Sequence, residues 1–304
     1  MAELLILGTG ALANYFGFQL AEAGVDLSLL GTWQDGVEAL NQHGIRLING
    51  ELEKSCRVQA YSNPDQVPPA RFALVLVKSW QTERAAEQLR KVLAPDGLAL
   101  TLQNGLGNRE TLSRLLGEER TAQGVTTTGA TLLGPGTVRP GGAGEITLGT
   151  HPRVQPLIEL LRTAGLEVHS SEDLPALIWQ KLVINCAINP LTALLQVPNG
   201  KLLESRAALA VMTAAAEETR QVALAEGVVP QGDDLHEAVR RVARKTAENR
   251  SSMLQDVRRG APTEIDAICG EVVRRGARHG VLTPVNQLFV HLIKALIDTK
   301  EISV

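Results

Sequence analysis

A lysine and two asparagines interrupt an otherwise apolar stretch in the second half of the sequence. The segment from residue 178 to 195 reads IWQKLVINCAINPLTALL and places Lys181, Asn185 and Asn189 four residues apart. On an α-helix that spacing puts the three side chains on one face, one above the other. The polar stripe is therefore either a solvated face or the lining of a pocket.

Lys181 has the chemistry for proton transfer if its helix is buried. Removing an ammonium group from water lowers its pKa toward the range in which a lysine donates a proton near neutral pH. The alternative is an exposed lysine on a tilted helix, and the spacing alone does not decide between the two. The other polar residues that break apolar patterns in the second half are Asn199, Asn249, Ser252 and Glu264.

The N-terminus carries a glycine pattern that is typical of dinucleotide-binding sites. In LLILGTGALA an apolar run leads directly into glycines that open a helical pattern. The first glycine allows a tight turn, the second lets the backbone approach a pyrophosphate, and the alanine keeps the helix close to the sheet. Glycine turns also follow strands that bind nothing. The predicted cofactor loop consists of Gly8, Thr9, Gly10, Ala11, Leu12 and Ala13.

The end of the second strand usually decides between the two nicotinamide coenzymes. An acid there bonds the ribose hydroxyls of NAD, whereas an arginine accepts the 2′-phosphate of NADP. Here the segment reads Leu30-Gly31-Thr32-Trp33-Gln34 and holds neither. Thr32 could donate to a phosphate oxygen, and Trp33 could cover adenine or equally pack against the next helix.

Two further polar residues follow predicted strands, at the edge where parallel sheets bind ligands. Lys78 comes after FALVLV, and its alternative role is that of a strand-end lysine that reaches solvent. Asn104 comes after GLALTLQ, and it is also the first residue of an Asn-Gly turn. Both are candidates for the cofactor side of a site.

The pattern of elements predicts an α/β fold. In the first half, strands are expected at 4–7, 25–30, 45–48, about 56–60, 72–77 and 97–103, with helices ending near 23 and 41 and a helix at 80–93. Residues 125–150 predict antiparallel strands that close this domain. Helices are expected at 174–195, 205–226, 233–248, 264–279 and 284–298. An α/β domain at 1–170 is thus followed by an all-helical domain at 171–304.

Composition excludes several functional classes. The 304 residues are 44% hydrophobic and 21% charged, as in a globular protein with a sizeable core. The net charge of −3 provides no field for nucleic acid. The three cysteines lie far apart without ligand spacing, which favours reduced thiols in the cytoplasm and argues against a structural metal. Two uncharged runs, Leu4 to Leu20 and Leu182 to Gly200, are broken by glycine, asparagine and proline. Neither run therefore predicts a signal peptide or a transmembrane helix.

The motifs together resemble the ketopantoate reductase family. They are GTGALA, VKSWQT, QNGLG, WQKLVINCAINPLTAL, VPNGKL, ENRSSMLQD and PTEIDAICG, and they span residues 8 to 270. The resemblance implies a Rossmann domain followed by a helical domain, with the substrate in the cleft between them. It also implies an NADPH-dependent reduction of 2-dehydropantoate (ketopantoate) to (R)-pantoate in pantothenate and coenzyme A biosynthesis.

The resemblance also assigns roles to the candidate residues. Lys181 matches the family's catalytic lysine, which polarises the ketone and protonates its oxygen, and Glu264 matches the acidic partner that bonds the substrate hydroxyl. The positions that match substrate-holding residues are Asn185, Asn189, Asn199, Asn249 and Ser252. The positions that match the cofactor side are Gly8 to Ala13, Lys78 and Asn104, whereas Thr32 is a cofactor-binding candidate only from its place after the second strand.

One departure from the family pattern lies at Gly31-Thr32, where many relatives place an arginine for the 2′-phosphate. NADPH is therefore expected with NADH as an open alternative. One alternative hypothesis keeps the scaffold but changes the reaction, to reduction of another branched 2-oxo acid or to opine-type reductive amination. Another is a protein that senses a nucleotide without turnover. The oligomeric state stays open, although the long helices of the second half could form the face of a homodimer.

Overall fold

The computed structural model describes residues 2–142, 144–231 and 234–300. The chain divides into two compact units, one formed by residues 1–103 with 108–174 and the other by residues 104–107 with 175–304. The short segment 104–107 therefore packs with the second unit, although the strand Leu93–Thr101, which only two residues separate from it, belongs to the first. The first residue of the helix predicted at 233–248 lies outside the described residues.

An eight-stranded sheet forms the centre of the first unit. Its strands are β1 (Ala2–Leu7), β2 (Leu27–Leu30), β5 (Gln59–Tyr61), β6 (Ala70–Val75), β7 (Leu93–Thr101), β8 (Thr121–Thr126), β11 (Glu145–Gly149) and β12 (Glu167–Ser171). They lie in the order β12-β11-β8-β7-β6-β1-β2-β5, and every neighbouring pair is parallel except β11 and β8. The inner strands are apolar along their length because helices cover both faces of a parallel sheet.

A second, four-stranded sheet belongs to the same unit. It contains β3 (Ile45–Asn49), β4 (Leu52–Cys56), β9 (Ala130–Gly134) and β10 (Thr137–Pro140) in the order β4-β3-β10-β9. The single strand expected around residues 56–60 is thus two strands, β4 and β5, which belong to different sheets. The strands expected at 125–150 also divide, since β8 and β11 extend the large sheet while β9 and β10 join the small one.

Five helices pack on these sheets. They are α1 (Ala11–Glu22), α2 (Gln34–His43), α3 (Thr82–Val92), α4 (Asn108–Leu116) and α5 (Gln155–Thr163). Short 3₁₀ turns occupy Pro64–Gln66, Ser79–Gln81 and Glu118–Arg120. The nine-residue helices α4 and α5 and the strand β12 were not predicted, because segments this short carry little periodicity. Phe16, Phe18 and Leu20 of α1 are buried in the core over the sheet.

The second unit is helical. Its helices are α6 (Leu174–Leu195), α7 (Arg206–Ala225), α8 (Leu235–Lys245), α9 (Ser252–Arg258), α10 (Glu271–His279) and α11 (Pro284–Lys300), with a 3₁₀ segment at Asn199–Glu204. The helix expected to begin at Glu264 instead opens with a π-helical turn, Asp266–Gly270. One core joins these elements through buried residues such as Leu182, Met212, Leu254 and Phe289.

This architecture confirms the predicted fold class, a parallel-sheet domain followed by a helical one. Among the described helices, none is long and apolar enough to cross a membrane.

Candidate functional site

The turn between β1 and α1 is built around Gly8. Its φ of +123° lies in a region that side-chain-bearing residues rarely adopt, and an added Cβ would lie 3.1 Å from the carbonyl oxygen of Leu76. Its N–H donates to Leu30 O at 2.8 Å, which ties the turn to β2. The fold itself therefore requires glycine at this position.

Gly10 has a different reason to be glycine. It is the N-cap of α1, its φ of −83° is ordinary, and a Cβ there would meet no protein atom within 4 Å. Neither packing nor backbone strain excludes a side chain at residue 10. The glycine instead keeps the space in front of the helix N-terminus open. The N-terminus of α1 also has no side-chain cap and no acid in its first turn. Free N–H groups at a helix N-terminus favour an anion such as a pyrophosphate.

Asn14, which was not among the predicted site residues, holds this loop in place. It is fully buried and its Nδ2 donates to Thr9 O at 2.8 Å and Gly10 O at 2.9 Å. Its position one helical turn after Gly10 is the signal that could have identified it. In the rest of the predicted loop, Thr9 and Ala13 are buried, whereas Ala11 and Leu12 are partly exposed.

The residues after β2 carry no charge, but a charged residue from elsewhere reaches them. Thr32 is exposed, and Arg84 of α3 donates from Nη2 to its Oγ1 at 3.2 Å. Nothing in the sequence relates two residues that lie 52 positions apart. The Trp33 ring packs over Gly36 of α2, where an added Cβ would lie 2.5 Å from ring atom Cε3. Trp33 thus packs against α2, and it is still 37% exposed, so both roles considered for it stay open.

Lys78 lies just beyond β6 and is partly buried, at the N-cap of the 3₁₀ turn Ser79–Gln81. This turn leads directly into α3, so Lys78 lies at the carboxyl end of the sheet, as expected. In the first unit the structure thus places the predicted cofactor-side residues Gly8 to Ala13, Thr32 and Lys78 beyond the ends of β1, β2 and β6, which are neighbours in the sheet.

In the second unit, Lys181 lies on the helix α6 and is partly buried. Desolvation by the surrounding protein lowers the pKa of Lys181 from 10.5 to about 8, while the charge of Glu264 acts in the opposite direction. Glu264 itself is 7% exposed. The two groups are therefore electrostatic partners within one unit, and the ammonium has a proton affinity suited to donation near neutral pH.

Asn104 is held close to the backbone that follows Glu264. Leu106 N donates to Ala267 O at 2.9 Å, and an added Cβ on Gly105 would collide with that same carbonyl oxygen. Ala267 lies in the π-helical turn, a feature that is frequent at functional sites. The glycine after Asn104 thus lets the segment 104–107 dock onto the turn beside Glu264.

The asparagines on α6 have unused hydrogen-bonding groups. Asn189 is 8% exposed and Asn185 is partly buried. Within the described parts of the chain, neither side-chain amide makes a hydrogen bond. Asn189 is mostly buried, yet its amide atoms are not among the fully buried unpaired ones, so they stay accessible to a polar molecule from outside the chain.

The remaining predicted substrate residues take different positions. Asn199 is buried, donates from Nδ2 to Thr246 Oγ1 at 2.9 Å, and has an Oδ1 with no partner among the described groups. Its N–H donates to the carbonyl of Asn249, whose side chain is exposed. Ser252 is partly exposed at the first position of α9. The buried hydroxyl there belongs to Ser251, which caps α9 and lies 2.7 Å from Thr192 Oγ1 of α6.

One group of three residues among those described could offer ligands to a metal ion: Glu145, Glu167 and His169, all exposed on β11 and β12. Exposed acidic clusters of this kind are common without a metal, and none of these residues was predicted to belong to the site.

Comparison with known proteins gives a consistent family assignment. Residues 4–153 match the family model "Ketopantoate reductase PanE/ApbA", and residues 173–297 match its C-terminal counterpart. A 2-dehydropantoate 2-reductase from Archaeoglobus fulgidus is 36% identical over 296 residues, which cover 96% of each chain.

Solved structures agree with these matches. A PanE/ApbA family ketopantoate reductase from Ralstonia eutropha JMP134 superimposes with a TM-score of 0.92 at 35% identity, covering 98% of this chain and 99% of the other. D-mandelate dehydrogenase in complex with NADH and anilino(oxo)acetate has a TM-score of 0.91 at 24% identity, covering 98% of both chains. At that identity the second likeness concerns the fold alone. The family resemblance drawn from the motifs is confirmed.

Proposed function

Because this chain belongs to the ketopantoate reductase family, we propose that it catalyses the reduction of 2-dehydropantoate to (R)-pantoate with NADPH. The observation that carries the proposal is Lys181, an ammonium whose pKa is lowered to about 8 beside the buried Glu264. A proton donor of this kind is what reduction of a ketone needs, whereas a protein that only senses a nucleotide does not need one.

The residues of the first unit fit a dinucleotide. The open space at Gly10 admits a pyrophosphate against the backbone, and the uncapped N-terminus of α1 stabilises its charge. We assign the cofactor to the loop from Gly8 to Ala13, Thr32 and Lys78, with Asn104 on the nicotinamide side. The first predicted domain, 1–170, would hold the cofactor, and the second, 171–304, the substrate.

Lys181 supplies the proton of the reaction. The hydride that reduces the ketone comes from the nicotinamide when it is bound. As the carbonyl carbon gains that hydride, its oxygen gains negative charge, and the Nζ ammonium of Lys181 stabilises this charge and transfers its proton to the oxygen. The lysine becomes neutral and regains a proton from solvent. The lowered pKa makes this transfer easier than it would be from an ordinary lysine.

Glu264 and the asparagines position the substrate in this scheme. The Glu264 carboxylate accepts a hydrogen bond from the substrate hydroxyl and favours the protonated form of Lys181. The free amides of Asn185 and Asn189 offer donors and acceptors without adding charge. We assign Asn199, Asn249 and Ser252 to the same substrate set, with Asn199 contributing its unpartnered Oδ1.

The proposal is tested by measuring NADPH oxidation with ketopantoate, 2-oxoisovalerate and oxaloacetate. The highest kcat/KM is expected for ketopantoate, and Lys181→Met should lower kcat about 10²-fold to 10⁴-fold, the usual contribution of general acid catalysis. Lys245→Met is the matched control, because it removes an exposed lysine of α8. A preference for another 2-oxo acid would replace the substrate. Full turnover in a folded Lys181→Met variant would refute the mechanism.

Two further proposals concern the cellular location and the oligomeric state of the protein. A cytoplasmic location is supported by the three cysteines, all of which are free thiols, including the neighbouring buried pair Cys186 and Cys269. A homodimer is supported by Leu288 and Leu292, which are 55% and 41% exposed on one face of α11. Sedimentation of the wild type and of Leu292→Glu would test the dimer, and a wild-type monomer would rule it out.

A further inference from the structure

Gly31 provides no cation at the end of β2. A Cβ added to Gly31 would lie 2.5 Å from Thr9 Cγ2 and 2.9 Å from Thr9 Oγ1. Thr9 is itself buried within the cofactor loop, and its side chain would have to move to admit a side chain at residue 31. Gly31 thus packs closely against Thr9, and with no side chain at residue 31 a cation at this end of the sheet has to come from another element.

Arg84 supplies that cation from α3. Its guanidinium donates to Thr32 Oγ1, two residues beyond the end of β2. This is the place where dinucleotide-binding sheets distinguish the 2′-position of the adenosine ribose. Because β2 and β6 flank β1, the chain that follows β6 into α3 returns to the same edge of the sheet.

The start of α3 is held firmly by a buried hydrogen-bond network. Thr82 is 2% exposed, and its Oγ1 lies 2.8 Å from Ser79 O and 2.9 Å from Asn108 Oδ1. Gln103 Nε2 donates to the same Thr82 oxygen at 2.9 Å and to Val77 O at 2.8 Å. Arg84 follows Thr82 by two residues, so its backbone is fixed where its side chain reaches Thr32.

The charge of Arg84 is not neutralised by the protein. Within the described residues no carboxylate forms an ion pair with Arg84. The adjacent Glu83 pairs instead with Arg114, at 2.7 Å. Asp35, in the first turn of α2, is exposed and also forms no ion pair with Arg84. A guanidinium has five N–H donors in a planar fork that matches a phosphate, and here one of them binds a hydroxyl.

We propose that Arg84 binds the 2′-phosphate of the coenzyme and makes the protein prefer NADPH to NADH, with Thr32 as its hydroxyl partner. This inference rests on the proposed function only for the presence of a nicotinamide coenzyme. Arg84 of α3 thus takes the role that an arginine at the end of the second strand has in many relatives. The protein then has a cation for the 2′-phosphate although residue 31 is glycine.

The test is equilibrium binding of 2′,5′-ADP and 5′-AMP to the purified protein by calorimetry, because these nucleotides differ only in the 2′-phosphate. The wild type should bind 2′,5′-ADP at least about 10-fold more tightly. Arg84→Gln should weaken 2′,5′-ADP binding about 10-fold to 100-fold and change 5′-AMP binding less than about twofold. NADPH and NADH titrations should show the same split.

Arg90→Gln is the matched control, because it removes an exposed arginine from the same helix and should change neither affinity. Thermal unfolding should be unchanged in both variants, since both side chains are exposed. Equal losses for the two nucleotides in Arg84→Gln, no loss for either, or a wild type that does not distinguish them would each overturn the assignment. No substrate is present in these titrations, so failure of the reductase proposal would appear only in the turnover assay.

Discussion

Replacing Glu264 by glutamine should change how the reaction depends on pH. Desolvation lowers the pKa of Lys181 to about 8 in spite of Glu264, whose charge raises it. Once that charge is removed, only the lowering effect remains. A neighbouring opposite charge typically shifts a pKa by about 1 to 3 units, and the lower figure places the pKa of Lys181 near 7 in the variant.

The loss of activity in Glu264→Gln should grow with pH, because only the protonated form of Lys181 can donate a proton. At pH 6 most of the lysine is protonated at either pKa, so protonation alone costs the variant almost nothing. At pH 9 about one tenth of the wild-type lysine is protonated against about one hundredth in the variant. The ratio of wild-type to variant kcat/KM should therefore rise about 10-fold between pH 6 and pH 9.

The assay is kcat/KM for ketopantoate at saturating coenzyme, measured across this pH range. Any contact that Glu264 makes with the substrate hydroxyl lowers the variant's activity by a factor that does not depend on pH, so the two roles separate. Asp266→Asn is the matched control, since Asp266 is an exposed acid two residues away that pairs with Lys294 at 2.7 Å. A constant ratio for Glu264→Gln across the range would refute the electrostatic reasoning.

Three further predictions concern stability and the cofactor loop. Gly8→Ala should lower the free energy of unfolding in urea by about 1 to 3 kcal/mol, whereas Gly10→Ala should leave it unchanged and weaken nucleotide binding in a titration. Ser251→Ala should cost about 1 to 2 kcal/mol, because the cap of α9 and the partner of Thr192 are both lost. Lys181 binds a proton more weakly when folded, with a pKa near 8 against 10.5 unfolded, so stability should rise between pH 8 and 10. Urea titrations should show this rise as about 2 kcal/mol larger in the wild type than in Lys181→Met.

Much of the fold could be predicted from the sequence because its signals are local. The apolar runs that become β1 and β6, the glycine turn before α1, and the long helix Leu174–Leu195 are each set by neighbouring residues. The polar face of Lys181, Asn185 and Asn189 follows from helical geometry alone. Short elements such as α4 and α9 were missed, since one or two turns of helix give too few periodic positions to recognise.

The sequence could not predict the partners that come from distant parts of the chain. It placed Asn104 after a strand, but its segment packs on the π-helical turn next to Glu264, 160 residues later. It found no cation near Thr32, because Arg84 reaches that residue only after β2 and β6 have paired on either side of β1.

The sequence by itself determined which residues could do chemistry: a lysine on an apolar helix, a glycine loop after the first strand, and amides at helical spacing. The tertiary structure decided the state of those residues. The pKa of Lys181 depends on how much water the surrounding residues exclude and on a carboxylate from another segment, and the charge at the end of β2 depends on strand order. Both are properties of packing, which brings groups together through space regardless of their distance along the chain.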